Sequence, residues 1–156
     1  MNRNALFPGS FDPITKGHES VILRSLDLFD TLTIAIGINA EKKYLFPLEL
    51  RLNWLKTIFA GIPKIRVTSY EGLTTDFCKK NDIQYILRGL RTSADFEFER
   101  SIGQMNKKIY PGIETVFLLA LPEFNALSSS IIRDIYRNGG DITPYIPDNM
   151  QLPPVK

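Results

Sequence analysis

A chain of 156 residues is the length of one domain and is long enough to bury a full core. Its 44% hydrophobic and 23% charged residues exclude a disordered chain and give the composition of a folded globular protein. A net charge of +2 with no Lys/Arg-rich run gives no footing to a nucleic-acid partner, and no apolar run approaches membrane-spanning length, whereas a small anion needs only a local pocket.

Ala5–Phe7 is a short apolar run that stops at Pro8-Gly9 and gives way to the stretch PGSFDPITKGH, residues 8–18. Ile22, Leu26 and Phe29 then recur at helical spacing behind Thr15, a candidate cap. Leu32–Ile38 is rich in β-branched residues and reads as a strand covered on both faces. Pro47 opens a helical pattern with proline in its first turn. A strand at 65–69, a short helix over 74–80 and a strand at 83–87 follow. Thr92-Ser-Ala-Asp95 is a helix start signal, and the helix runs to about Lys108. Thr115–Leu121 is a fifth strand, and a last helix from Ser130 to Arg137 stops at Asn138-Gly-Gly140 before a proline-rich, irregular tail. The alternation predicts one α/β domain over 1–156: a Rossmann-like, doubly wound, five-stranded parallel sheet with helices on both faces. Ligands of such sheets sit beyond the carboxyl ends of strands, so the loops after the first, fourth and fifth strands are the places to look.

The first of these loops holds the only histidine in the chain. Gly9 permits close approach of backbone to a ligand, and Pro8 and Pro13 stiffen the path. Thr15 as a cap places Gly17 and His18 in a first helical turn, where free N–H groups favour an anion, and Ser10 adds a hydroxyl. A tight turn with a structural histidine is the competing reading; glycine, hydroxyl and histidine at one strand-to-helix junction favour the phosphate cradle. Asp12, between prolines, is expected to bond to loop backbone. The fourth strand ends in Leu87-Arg-Gly-Leu-Arg91, two guanidiniums around a glycine, suited to bidentate phosphate or carboxylate binding or else simply solvated. After the fifth strand, Ser128, Ser129 and Ser130 head a helix as caps or as phosphate donors. Lys42-Lys43 is either a solvated pair or carries a point charge for a phosphate. Thr74 and Asp76 are uninformative alone, and Glu97, Glu99 and Arg100 read as a polar helix face. The single Cys78 forms no intrachain disulfide; with one histidine there is no Cys/His zinc cluster, and a buried thiol is expected. The opening MNRNALFPGS lacks the apolar core of a signal peptide, so a cytoplasmic protein is expected.

In order and separation, PGSFDPITKGH, ILRGLRTSADFEFE and LSSSIIR resemble the bacterial phosphopantetheine adenylyltransferases, and the resemblance spans roughly the whole chain. The Thr-x-Gly-His signature belongs to the wider nucleotidyltransferase superfamily; the Arg-Gly-Leu-Arg segment with Ala-Asp-Phe-Glu behind it is the more discriminating. The resemblance implies transfer of AMP from ATP to 4′-phosphopantetheine, giving dephospho-coenzyme A and pyrophosphate in coenzyme A biosynthesis, by in-line attack without a covalent intermediate. It implies catalytic roles for His18, Lys42 and Arg91, and a phosphopantetheine side built by Ser10, Lys42, Thr74 and Arg88. It implies ATP contacts from Ser10, Phe11, His18, Gly89, Leu90, Arg91, Glu99, Phe124, Asn125, Ala126, Leu127, Ser128, Ser129 and Ser130. Mg²⁺ held mainly by substrate phosphates, a homohexamer and feedback inhibition by coenzyme A are further implications, with no nucleic acid or membrane as partner. Nicotinamide-mononucleotide and glycerol-phosphate nucleotidyltransferases share the first loop, but Arg88-Gly-Leu-Arg91 argues against them. A tRNA-synthetase fragment would need a basic face, and a non-catalytic adenine-nucleotide sensor would bind without releasing pyrophosphate.

Overall fold

The computed structural model describes residues 2–155. Strand β1 (Asn4–Gly9) leads to helix α1 (Lys16–Ser25) and strand β2 (Thr31–Gly37). Helix α2 (Leu48–Ile58), strand β3 (Ile65–Tyr70), helix α3 (Thr74–Lys80) and strand β4 (Tyr85–Leu90) follow. Helix α4 (Ser93–Ile109), strand β5 (Glu114–Leu119) and helix α5 (Ser129–Arg137) complete the order, with 3-10 turns at Pro122–Phe124 and Thr143–Tyr145. The sheet is five-stranded in the order β3-β2-β1-β4-β5, and every pairing is parallel. This is the expected doubly wound architecture, with its strand order reversing between β1 and β4.

Central strands buried on both faces account for the near-continuous apolar runs. Ala5, Leu6, Leu32, Ile34, Ala35, Ile36 and Leu87 are all fully buried. Each large aliphatic side chain removed from water in this way contributes about 1.5–3 kcal/mol. A second apolar cluster, Phe46, Trp54, Ile132, Tyr136 and Ile146, ties α2 to α5 and the tail.

The two strands that flank the strand-order reversal run further than the sequence reading, while β5 stops at Leu119, two residues short of it. β1 does not stop at Pro8-Gly9 but runs through them, Pro8 opposite Ala35 and Gly9 opposite Ile36. β4 likewise continues past Leu87 through Arg88 and Gly89 to Leu90, paired with β5. Between β1 and β4 only Ala5–Tyr85 and Leu6–Ile86 are paired, so the ladder ends there and a cleft opens. A proline lacking its N–H is tolerated in β1 because that flank carries no ladder. Pro47 also shifts, from the first helical turn to the N-cap of α2.

Candidate active site

Thr15 has the extended backbone of an N-cap (φ −115°, ψ 166°), and α1 starts on a reciprocal pair of bonds. The His18 backbone N–H donates to Thr15 Oγ1 (3.2 Å), and the Thr15 N–H donates to His18 Nδ1 (3.1 Å). Because Nδ1 accepts a backbone hydrogen, the neutral ring carries its proton on Nε2, which makes that nitrogen a donor. The rings of Phe11 (5.3 Å between centroids) and Phe7 (6.2 Å) stand edge-on to the imidazole. Burial lowers the His18 pKa from 6.5 to about 4, with Arg88 and Arg91 adding to the fall. The histidine is therefore an uncharged donor at neutral pH.

The loop before it is fixed from several sides. Phe11 is buried at φ 47°, a left-handed conformation that is costly for an aromatic residue. A Cβ on Gly9 would sit 3.0 Å from the Phe11 ring, so that position admits glycine alone without displacing the ring. Asp12, 2% exposed, accepts from the N–H groups of Leu45 (2.8 Å) and Phe46 (2.9 Å), which is the loop-backbone role expected of it. Lys42 donates to Ser10 Oγ (3.2 Å), so one lysine of the 42–43 pair meets the first loop.

Arg88 spans the cleft. Its Nε and Nη2 form a bidentate pair with Glu99 (2.9 and 2.7 Å), and Nη1 donates to the Pro8 carbonyl across the unpaired flank (2.6 Å). Three of its five N–H bonds are so used, leaving one on each terminal nitrogen for a ligand. Arg91 pairs with Asp95 (3.2 Å) and donates from Nη1 to the Leu127 carbonyl (3.1 Å), tying β4 to the turn before α5. Ser128 is the N-cap of α5 and accepts from the Ile131 N–H (3.2 Å). Ser129 donates to the Pro13 carbonyl (2.9 Å), and Ser130 Oγ accepts from Arg133 (3.1 Å). The serine hydroxyls thus serve the fold, and the free backbone N–H groups of the first turn remain for an anion.

Two cavities open on this framework. The first, about 340 Å³, is lined by Ser10, Phe11, His18, Lys42, Arg88, Gly89, Arg91, Glu99, Phe124, Leu127, Ser128, Ser129 and Ser130. The second, about 320 Å³, is lined by Thr74, Tyr70, Phe98, Ile102 and Asn106. Pro8, Gly9, Ser10, Arg88 and Glu99 line both, so the cavities meet at the strand-order reversal. Thr74 lines only the second cavity, which it shares with Ser10, Arg88 and Glu99, and it is hydrogen-bonded to the Tyr70 hydroxyl (2.8 Å). Leu90 is buried, and Asn125 and Ala126 are exposed outside both cavities. Glu99 is not part of a solvated helix face: it is 9% exposed against Arg88, whereas Glu97 pairs with Arg100 on the surface.

Sequence reasoning missed Arg133 and Arg51. Arg133 lines the first cavity and donates to the Asp12 carbonyl (2.9 Å). Its signal was an arginine three residues beyond Ser130, one helical turn away. Arg51, 3% exposed, lies at the spacing of the core-facing Leu48, Leu52 and Leu55; a charge among apolar positions was the available sign. Among the described residues no group of three or more His, Cys, Asp or Glu side chains could hold a metal ion, and no helix is long and apolar enough to cross a membrane.

Comparison with known proteins gives the family and the fold of the chain. A cytidylyltransferase-like family model matches residues 6–135. The chain is 52% identical over 150 residues to a phosphopantetheine adenylyltransferase of Flavobacterium psychrophilum, covering 96% of this chain and 99% of that protein. It is 44% identical to the protein of the same name from Phocaeicola vulgatus, with 96% and 99% covered. A solved structure of a provisionally named nicotinate-nucleotide adenylyltransferase from Vibrio parahaemolyticus has the same fold (TM-score 0.70, 21% identity, 94% of each chain covered).

Proposed function

The chain belongs to the phosphopantetheine adenylyltransferases, within the cytidylyltransferase-like family, and we propose that its cleft carries out their reaction at the junction of the two cavities. It is a nucleotidyltransferase of coenzyme A biosynthesis that joins ATP to 4′-phosphopantetheine. ATP occupies the first cavity, with its β- and γ-phosphates against the first turn of α5, Arg91 and Arg133. The pantetheine arm lies in the second cavity beside Thr74, and its phosphate reaches the two unspent N–H bonds of Arg88. An oxygen of that phosphate attacks the α-phosphorus in line. One P–O bond forms, the bond to the bridging oxygen breaks, and pyrophosphate departs with the electron pair, leaving dephospho-coenzyme A.

The protein supplies no nucleophile in this scheme; it positions the reactants and stabilises charge. The Nε2–H of His18 donates to the oxygens of the transferring phosphate, where negative charge shifts during reaction. Lys42 adds a point charge from the Ser10 side. Glu99 holds Arg88 through two bonds and also lines the first cavity, where the resemblance implies an ATP contact. The carboxylates of the first cavity, Asp95 and Glu99, are engaged by Arg91 and Arg88, so the donor set suits Mg²⁺ carried on substrate phosphates and water. When bound, the ion neutralises phosphate charge.

A homohexamer is the proposed assembly; the exposed stripe Phe98, Ile102, Met105 and Ile109 on α4 supports burial of that face between copies. Coenzyme A, which shares the product skeleton, competes for the same two cavities, and the proposed compartment is the cytoplasm. The observation that carries the reading is the pair of cavities joined at Ser10 and Arg88. Pyrophosphate release from MgATP tests it: release with phosphopantetheine, and little with nicotinamide mononucleotide or glycerol phosphate, is expected. Nucleotide binding without release would mark a sensor, and preference for either other acceptor would overturn the assignment.

A further inference from the structure

Lys42 is exposed, and a lysine ammonium on four methylenes has no fixed place of its own. In this chain it belongs to a closed ring of contacts. Its ammonium donates to Ser10 Oγ (3.2 Å) and lies over the ring of Tyr44 (5.5 Å to the centroid). A second cation, the guanidinium of Arg51, stacks on that ring at 4.2 Å. Arg51 closes the circuit by donating from Nη1 to the Ser10 carbonyl (2.8 Å), while its Nε donates to the Phe46 carbonyl (2.9 Å).

We propose that Arg51, acting through Tyr44 and the Ser10 backbone, is a positioning residue for adenylyl transfer that sets where the Lys42 ammonium stands. This rests on the reading of Lys42 as a group that acts on the transferring phosphate. Arg51 lines neither of the two substrate cavities, so it acts at one remove. A planar fork is suited to such a role, because its edge satisfies two carbonyls on different loops while its face stacks on an aromatic ring. Asp12 reinforces the arrangement by accepting the Leu45 and Phe46 N–H groups, so the loop carrying Lys42 and the loop carrying Ser10 are fastened together around one buried cation. A lysine at position 51 would keep the charge but not the planar fork that bonds two carbonyls along its edge while its face stacks on Tyr44.

The test is a double-mutant cycle on the pyrophosphate-release rate, using Arg51→Lys, Lys42→Ala and the pair. Arg51→Lys is expected to lower kcat by about ten- to a hundredfold, the scale of a misplaced group, with the KM for ATP within about twofold. In the Lys42→Ala background the same change is expected to have almost no effect on kcat, while its effect on the thermal midpoint stays the same in both backgrounds. A purely structural role would give equal fold-losses in both backgrounds, and that result overturns the proposal. Unchanged kcat in Lys42→Ala alone removes the underlying reading of the site, and the proposal with it. Should Arg51→Lys fail to fold, Tyr44→Ala serves the same cycle, with an expected loss of about two- to fivefold in kcat confined to the background that retains Lys42; equal losses in both backgrounds would again overturn it.

Discussion

Replacing His18 by asparagine removes the Nε2–H donor and the only imidazole in the chain. Loss of one preorganised donor to a transferring group costs about 10²- to 10³-fold in kcat, and ATP affinity should change far less because the contact strengthens as charge shifts. The same residue leaves a mark on stability. Between its ordinary pKa of 6.5 and its folded value of about 4, the unfolded chain binds a proton that the folded chain does not. Stability therefore rises with pH through that window and is lost as pH falls from 6.5 towards 4. The full shift sets a ceiling of about 3 kcal/mol, and the partly solvated ring brings the expected figure to about 1–2 kcal/mol. Urea unfolding at pH 7 and pH 4.5, with wild type and His18→Asn compared at each, isolates the contribution, since no other histidine titrates. Spectra of ¹⁵N-histidine-labelled protein show one residue only and should report a bare Nδ1 and a protonated Nε2 down to about pH 5. An imidazole that titrates at or above 6.5, or one protonated on Nδ1, would refute the reasoning.

Glu99→Gln should loosen Arg88 and raise the KM for phosphopantetheine by about tenfold with a smaller effect on ATP, measured by varying each substrate in turn; the reverse ranking would make ATP contact, and not the hold on Arg88, the main role of Glu99. Ser128→Ala removes the cap of α5 and should cost about 1 kcal/mol in denaturant unfolding. Cys78 is fully buried, and burial raises its thiol to about 12, so a thiol reagent should label native protein only at the rate of unfolding. Labelling as fast as that of a free thiol would contradict its placement.

The sequence made the three loops legible because glycine, proline and cap residues act locally: Thr15, Thr92 and the serine run start helices wherever the rest of the chain lies. The extension of β1 through Pro8-Gly9 was not legible. Those two residues break a strand when both flanks are paired, and only the three-dimensional order reveals that one flank is open. Glu99 and Glu97 are indistinguishable as letters on a helix; their fates part because one faces β4 and the other water. Arg51 bonds to the Ser10 carbonyl 41 positions away, a contact that no local pattern encodes. The arginines at 88 and 91 stood out in the sequence, but their carboxylate partners, which set how much of each fork is left for phosphate, emerged only from the packing.

The two reactants should meet at the cleft between β1 and β4. A crystal structure with dephospho-coenzyme A bound should place its adenosine in the first cavity and its pantetheine arm in the second, with the bridging phosphates between His18 Nε2, Lys42 and Arg88. A product lying wholly within one cavity, its phosphates away from the β1–β4 cleft, would contradict it.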